Sequence, residues 1–473
     1  LQENNHIAIV DLEELEVTSH FTAGTADLIG VDATEDDLIS MTENLLGVPR
    51  EPDAVTWLGT ERVATADEGD LFGGSRGFTI FDTDGAVVFQ AGADFEEHAT
   101  QTGHYPEGRS ENKGAEPESI ETAKFGGTDY LFVGSERGGF VAVYSLNDSG
   151  SPVFQQILPA PLGPEGALEI SDRYLFLASG YSDDPSFGVR WTIMIYEYQD
   201  GADAEYPSIQ SDFVADKPIG WSALSGMVSV PDSSDELLAV WDSFFGQAQI
   251  FTIDVTKTPA QITSALPIAG GSGNFDPEGI ANAPDGTIWI ASEGNGSGSR
   301  PNRLLQVDAL GTVINEIFLP ARVTVCRNQS NAVSGLQGGF EGLAIVEEPV
   351  GPITAPGRSG DYWVVVAQQR GWNYTTNNCR KIDDDPLDVD NLEPSQTRLW
   401  VYDVGRNKWL DPIIYELATK PLNASWVGLS EVTRVDGGFV VIERDNRTGD
   451  FAELKTLVYF SDGAIADGRV SAS

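Results

Sequence analysis

Carboxylates recur along this chain in one two-part setting. The clearest copy is Asp276-Pro277-Glu278-Gly279-Ile280, followed by Ile288-Trp289-Ile290-Ala291-Ser292-Glu293-Gly294. One acid stands just ahead of a short apolar run, and another where the next run ends. If the two runs are paired antiparallel strands, both acids lie at the same end of a sheet. Six further copies follow, two of them weak in isolation. Glu51-Pro52-Asp53 leads to Ala66-Asp67-Glu68-Gly69-Asp70, Glu116-Pro117-Glu118 to Ser135-Glu136-Arg137, and Pro164-Glu165-Gly166 to Ala178-Ser179-Gly180. Trp221-Ser222-Ala223-Leu224 leads to Trp241-Asp242-Ser243, Phe340-Glu341-Gly342 to Gln368-Gln369-Arg370, and Leu429-Ser430-Glu431 to Ile442-Glu443-Arg444-Asp445.

Repeated around a ring, this pattern builds an acidic mouth. So many carboxylates cannot all stay ionised at close range without compensation. Hard, oxygen-seeking cations, chiefly Ca²⁺, are the natural compensation. The candidate metal ligands are Asp53, Asp67, Glu68, Glu118, Glu136, Glu165, Asp276, Glu278, Glu293, Glu341, Glu431 and Glu443. Arg137, Arg370 and Arg444 share one repeat position beside these acids. One reading is that they pair with the carboxylates and hold the mouth together. The other is that they grip a phosphate bidentately while a metal-bound water attacks phosphorus. On the second reading Glu278, Glu341 and Arg444 are the catalytic candidates. Any single Glu of the set also has a plainer role open to it, as a strand-end cap or turn residue.

Other chemistries find little footing. Gly134-Ser135-Glu136 and Gly180-Tyr181-Ser182 lack the pattern of a Gly-x-Ser-x-Gly elbow, and with four His a Ser-His-Asp triad has no candidate base near a strand-end Ser. His6 and His20 lie in strand-like runs, to be packed or solvent-facing. His98 and His104 fall in an acidic insertion, as surface residues or ligands. The two cysteines, Cys326 and Cys379, sit in insertions; in an exported protein they would form a disulfide, and otherwise two thiols.

The scaffold that must position these acids reads as all-β. The chain has 473 residues with 51 Gly and 25 Pro, and short apolar runs separated by turn residues occur throughout. After each acidic pair comes a third run, such as Leu304–Asp308 or Leu399–Asp403, and often a less apolar fourth. Four short strands per unit is propeller-blade grammar. The expected fold is one β-propeller over 1–473, with seven four-stranded blades favoured over eight. Residues 1–50 would supply closing strands, and Thr34 with Leu38, Ile39, Met41 and Leu45 predicts a short amphipathic helix within 33–47. The blades would divide at about residue 220.

The net charge of −45, from 73 acidic against 28 basic residues, argues against nucleic acid or anionic membrane as partner. No run approaches the roughly 20 apolar residues of a membrane span. Leu1-Gln2-Glu3-Asn4-Asn5 runs straight into a strand, as in a portion of a longer polypeptide.

Residues 220–460 resemble the phytase-like propeller family termed "esterase-like activity of phytase". The resemblance is carried by Asp276-Pro277-Glu278-Gly279-Ile280, Ile290-Ala291-Ser292-Glu293, Gly339-Phe340-Glu341-Gly342-Leu343-Ala344, Leu429-Ser430-Glu431-Val432 and Ile442-Glu443-Arg444-Asp445. The earlier part resembles choice-of-anchor I propellers through Pro52-Asp53-Ala54-Val55, Ala66-Asp67-Glu68-Gly69-Asp70 and Ser135-Glu136-Arg137-Gly138-Gly139. Together these imply a bacterial protein that is secreted, periplasmic or at the cell surface. Two functions follow as expectations. One is a calcium-dependent phosphoesterase; the other is a non-catalytic, calcium-stabilised surface adhesion or assembly module with a cell-surface partner.

Overall fold

The structure, a computed structural model, describes residues 4–147, 149–170, 173–181, 189–295, 299–320, 323, 338–350, 353, 361–372 and 395–471. The proposed pair Cys326 and Cys379 lies outside them. The chain forms two compact units: Leu1–Ser222 with Asp254–Ser264, and Ala223–Ile253 with Ala265–Ser473. Both are built from antiparallel meanders of short strands, the blades of the β-propeller class.

In the first unit, His6–Asp11 and Glu16–Thr22 form a hairpin, as do Thr25–Val31 and Glu43–Pro49. A four-stranded blade follows over Val55–Leu58, Arg62–Asp67, Gly77–Asp82 and Val87–Gln90. A second covers Pro117–Phe125, Thr128–Ser135, Phe140–Leu146 and Pro152–Pro159, and a three-stranded sheet covers Pro164–Ile170, Leu175–Gly180 and Ile193–Glu197. In the second unit, Leu224–Ser229, Glu236–Trp241 and Gln249–Asp254 open the series. Pro277–Asn282, Ile288–Ser292, Arg303–Val307 and Val313–Phe318 make a four-stranded blade. Phe340–Val346, Trp363–Gln368, Gln396–Asp403 and Ile413–Glu416 make the next, extended by Arg469–Ser471 in parallel. Val427–Val435, Gly438–Asp445 and Lys455–Ser461 form the last sheet.

Blade interiors explain the apolar runs. Trp363–Gln368 and Gln396–Asp403 are buried along their whole length, as strands covered on both faces must be. Trp241, Trp289, Trp363 and Trp400 are fully buried, each side chain contributing about 2–3 kcal/mol of apolar burial. Most of their indole N–H groups are partnered: Trp289 Nε1 donates to Tyr362 Oη at 3.0 Å, and Trp400 Nε1 to Gln368 Oε1 at 2.8 Å.

The helix expected within 33–47 does not form. Residues 43–49 are a strand instead, with Leu45 opposite Leu28 and Val48 opposite Ala26. The Thr34 hydroxyl that was to cap the helix donates to the Glu43 carboxylate at 2.9 Å. An α-helix lies at Asp94–Gln101, where Phe95 and Ala99 share a buried face and Asp94, Glu96 and Glu97 favour the first turn.

Candidate functional site

A bulge aims the acids. In five of the inner hairpins one or two residues have no cross-strand partner, and they coincide with the acidic phrase. Glu118 is skipped between Ser119 and Pro117, Glu165 between Pro164 and Gly166, and Glu278 between Pro277 and Gly279. Glu341 and Gly342 fall in the shift between Phe340 and Leu343, and Ser225 and Gly226 in that between Leu224 and Met227. An unpaired residue turns its side chain out of the ladder, so the bulge is what presents the acid. In the final hairpin the skipped residue is Ser430, not Glu431. Small residues let the inner strands of the second unit come close: a Cβ on Gly279 would sit 2.7 Å from the Cα of Gly342, and one on Gly226 equally near Gly279.

The first unit gathers one acidic centre. Ligand oxygens of Asp53, Glu68 and Glu118 lie within 4.8 Å of one another, as do those of Glu68, Glu116 and Glu136. Cations from the insertion over 91–115 enter this centre. Lys113 Nζ lies 2.7 Å from Glu68, Arg109 Nε 2.5 Å from Glu116, and Arg137 Nε 3.1 Å from the other Glu116 oxygen. Arg137 also reaches Glu136 at 3.2 Å, and the Tyr181 hydroxyl donates to Glu136 at 2.5 Å. Glu118 is the acid left with its charge least answered. Burial, then Glu68, Asp53, Glu136 and Glu165, push its pKa up to about 8. Glu165 itself is exposed. The backbones of Glu51 and Glu116, at the same point of successive copies, are left-handed with φ of 49° and 51°. Strain of that kind persists only where the surroundings enforce it.

His104 serves this centre without touching it. Its Nδ1 lies 2.7 Å from the Gly138 carbonyl, and its Nε2 bonds the Tyr206 hydroxyl. The loop carrying Glu136 and Arg137 is thereby fixed from behind. His98 stacks on Phe154 with ring centroids 3.6 Å apart, and burial pushes its pKa down to about 4. It is half-buried against that ring.

The second unit gathers another centre of different make. Oxygens of Asp242, Asp276 and Glu278 lie within 4.8 Å of one another. Glu278 accepts from the Ser225 hydroxyl at 2.5 Å; burial and the charges of Asp242, Glu293 and Asp276 push its pKa up to about 9. Glu341 is buried and accepts from Gln369 Nε2 at 2.5 Å. Burial, with Glu278 and Glu293 nearby, holds its pKa well above the usual carboxylate range. Glu293 accepts from the Gly339 N–H at 2.9 Å, and Arg300 approaches Asp276 at 3.7 Å.

Arg370 and Arg444 flank these acids but are held by an aromatic ring. Their guanidinium carbons lie 4.4 Å and 5.0 Å from the centroid of Trp426. Arg444 Nε donates to the Ser430 hydroxyl at 2.5 Å, while the buried Nε of Arg370 has no hydrogen-bond partner among the described residues. Burial lowers the pKa of Arg370 to about 10, although Glu293 and Glu341 act against this. A guanidinium edge without a protein acceptor suits an oxyanion.

Three sequence candidates stand elsewhere, in structural roles. Asp67 is fully buried and accepts from the hydroxyls of Thr65, Thr79 and Ser75 at 2.6, 2.6 and 2.8 Å. Glu443 accepts from the Tyr415 hydroxyl at 3.0 Å and from the Ala418 N–H. Glu431 accepts from its own neighbour, the Val432 N–H, at 2.7 Å, and its carboxylate packs over Gly342. The groups that reading by spacing passed over are Ser225, Tyr181 and Trp426. Ser225 could have been found, because it occupies the acid's place in the degenerate copy.

All-oxygen donor sets of this kind fit a hard divalent cation, and the raised acids show the charge such an ion would neutralise. The fold and these centres define a β-propeller protein with carboxylate-lined sites at its blade bulges. Residues 219–471, more than half of the chain, match the family "Phytase-like: Esterase-like activity of phytase", and the chain belongs to that family. Residues 71–149 match the Choice-of-anchor I domain. No curated protein matches the chain. Similar solved structures include hydrazine synthase of Kuenenia stuttgartiensis, at 13% identity over 70% of this chain and 77% of that one, with a TM-score of 0.27. Virginiamycin B lyase of Staphylococcus aureus shows 10% identity over 88% and 94%, with a TM-score of 0.22. The C-terminal WD40 domain of Sif2 shows 12% over 97% and 90%, with a TM-score of 0.23. Among the described residues no helix is long and apolar enough to cross a membrane.

Proposed function

We propose that the second unit is a calcium-dependent phosphoric ester hydrolase, working where the acids meet the arginines. The observation that carries this reading is the gathering of the Asp242, Asp276 and Glu278 oxygens, linked through Glu341, on which both Glu278 and Arg444 act, to two arginines stacked on Trp426. Asp242, Asp276 and Glu278 would hold Ca²⁺. When bound, the ion supplies charge neutralisation and a more acidic water. Arg370 and Arg444 take the non-bridging phosphate oxygens, and Trp426 keeps both side chains extended. Glu341 holds a proton. Water adds to phosphorus, the ester P–O bond breaks, and the alcohol leaves with the Glu341 proton. The proton of the added water returns to Glu341, so the carboxyl ends as it began.

The match of residues 71–149 to a Choice-of-anchor I domain supports a place at the cell surface, in the periplasm or outside the cell. It also favours a second reading, in which calcium only stabilises an adhesion or assembly module. One experiment separates the two. Phosphomonoesters and phosphodiesters are assayed with calcium and with chelator, while calcium binding is followed by calorimetry. Calcium-dependent turnover lost in Arg444→Gln supports the hydrolase. Calcium binding without turnover supports the surface module, and neither binding nor turnover overturns both.

A further inference from the structure

We propose that the opening hairpin of the first unit carries a two-histidine site for a borderline d-block cation such as Cu²⁺, Ni²⁺ or Zn²⁺. It is independent of the acidic centres. His6 and His20 lie on neighbouring strands, and the register places Ala8 opposite His20 and Thr22 opposite His6, so the two rings are diagonal neighbours on one face. His6 Nε2 and His20 Nδ1 are 3.2 Å apart, with ring centroids at 5.5 Å and planes inclined by 32°. Two imidazole nitrogens bound to one tetrahedral ion at about 2.0–2.1 Å stand about 3.3 Å from each other. The pair is therefore already at a chelating separation.

His20 is exposed and His6 half-buried, so the pair is open to water and to an entering ion. Their cross-strand partners on the same face, Ala8 and Thr22, set no charge against a cation. Both imidazoles would bind neutral, His6 carrying its proton on Nδ1 and His20 on Nε2. Nitrogen donors select the later first-row ions, whereas the all-carboxylate centres select hard ones. The remaining coordination positions would hold water or a donor from another molecule.

The other two histidines make the test clean. His98 is stacked on Phe154 with its Nδ1 buried, and His104 has both ring nitrogens engaged, so a two-imidazole signature is expected from this hairpin. Untagged protein, with calcium in excess to occupy the acidic centres, is titrated with Cu²⁺ and followed by electron paramagnetic resonance. The expected result is hyperfine coupling to two imidazole nitrogens. His20→Ala and His6→Ala should each lose that coupling and weaken Cu²⁺ binding at least tenfold. In His20→Ala the metal-free melting should be unchanged, because that ring is exposed. An oxygen-only spectrum, or two-nitrogen coupling that survives in His20→Ala, would overturn the proposal.

Discussion

The two acidic centres grow from the same blade pattern, yet they are neutralised in opposite ways. In the first unit the answering charges are the protein's own. Lys113, Arg109 and Arg137 reach Glu68, Glu116 and Glu136 at 2.5–3.2 Å, and two of the three cations come from one long insertion. In the second unit Arg370 and Arg444 are stacked on Trp426, and no described carboxylate pairs with either of them. Asp276 there has Arg300 at 3.7 Å, while Glu278 and Glu341 stay protonated or await a cation, as the rise of Glu278 to about 9 reflects. A repeated acidic motif thus marks where charge is gathered. What lies beside it decides whether that charge is spent on structure or left for a ligand.

The sharpest way to break this contrast is to strip the first centre of its own cation. Lys113 is half-buried beside the buried Glu68, and removing one partner of such a pair leaves an uncompensated charge. Lys113→Met should cost about 3 kcal/mol in urea unfolding without metal. Added calcium should recover much of that loss, because the first centre would then resemble the second. A cost below about 1 kcal/mol with no calcium response would mean that Lys113 is not what neutralises Glu68.

The second contrast is in the pH response of buried acids beside the two centres. Glu96 in the first unit is fully buried, 3.9 Å from Arg76 and accepting from the Ala115 N–H at 3.0 Å. Burial outweighs Arg76 and raises its pKa from 4.5 to about 7. The folded state therefore holds a proton that the unfolded chain releases. Its stabilising effect is complete below 4.5 and is lost as pH rises through about 7, by at most about 3 kcal/mol. Asp445 in the second unit behaves oppositely. Burial opposes its ionisation, but the N–H groups of Glu453, Arg447 and Leu454 together with Lys455 hold its pKa at about 2. Its contribution is lost only as pH falls from 3.8 through that value. Glu96→Gln should flatten the alkaline loss measured by unfolding of the whole chain and leave the acid limb untouched. A wild-type alkaline slope in Glu96→Gln would assign that loss to another group.

Next in size is the metal response of the second centre. At a calcium concentration about a hundredfold above Kd, binding to the folded state adds about 2.7 kcal/mol. Glu278→Gln should remove that increment while preserving the fold, since Gln can still accept from Ser225. Were the calcium shift in melting unchanged in Glu278→Gln, the ion would have to sit in the first centre.

How much of this was legible in the sequence follows from what each feature depends on. Strands, turns and the meander were legible because alternation and Gly placement are local. The acids reached the sheet ends because each phrase brackets a strand pair. The bulge was not legible: it shifts register by one, so Ser430 rather than Glu431 takes the place of Glu278 and Glu341. The expected helix failed because residues 43–49 gain more by pairing with Thr25–Val31 than by an isolated turn. The pairing of Lys113 with Glu68 and the seat of the arginines on Trp426 depend on long loops returning to a distant strand end. Nothing in local spacing encodes that return.

The smallest expected effect falls on Trp426, and it tests the arginines most directly. Each guanidinium over the ring contributes about 0.5–1 kcal/mol. Trp426→Leu keeps apolar bulk but removes both contacts, so stability should fall by about 1 kcal/mol in unfolding experiments. With the ring gone, Arg370 and Arg444 are free to swing toward Glu293 and Glu341, which already act electrostatically on Arg370. The second centre would then neutralise itself as the first does. Calcium affinity measured by calorimetry should drop with it, and phosphate binding should weaken, because the guanidinium edges would be occupied by carboxylates. If Trp426→Leu left both affinities unchanged, the aromatic seat would not be what keeps the two centres apart in character.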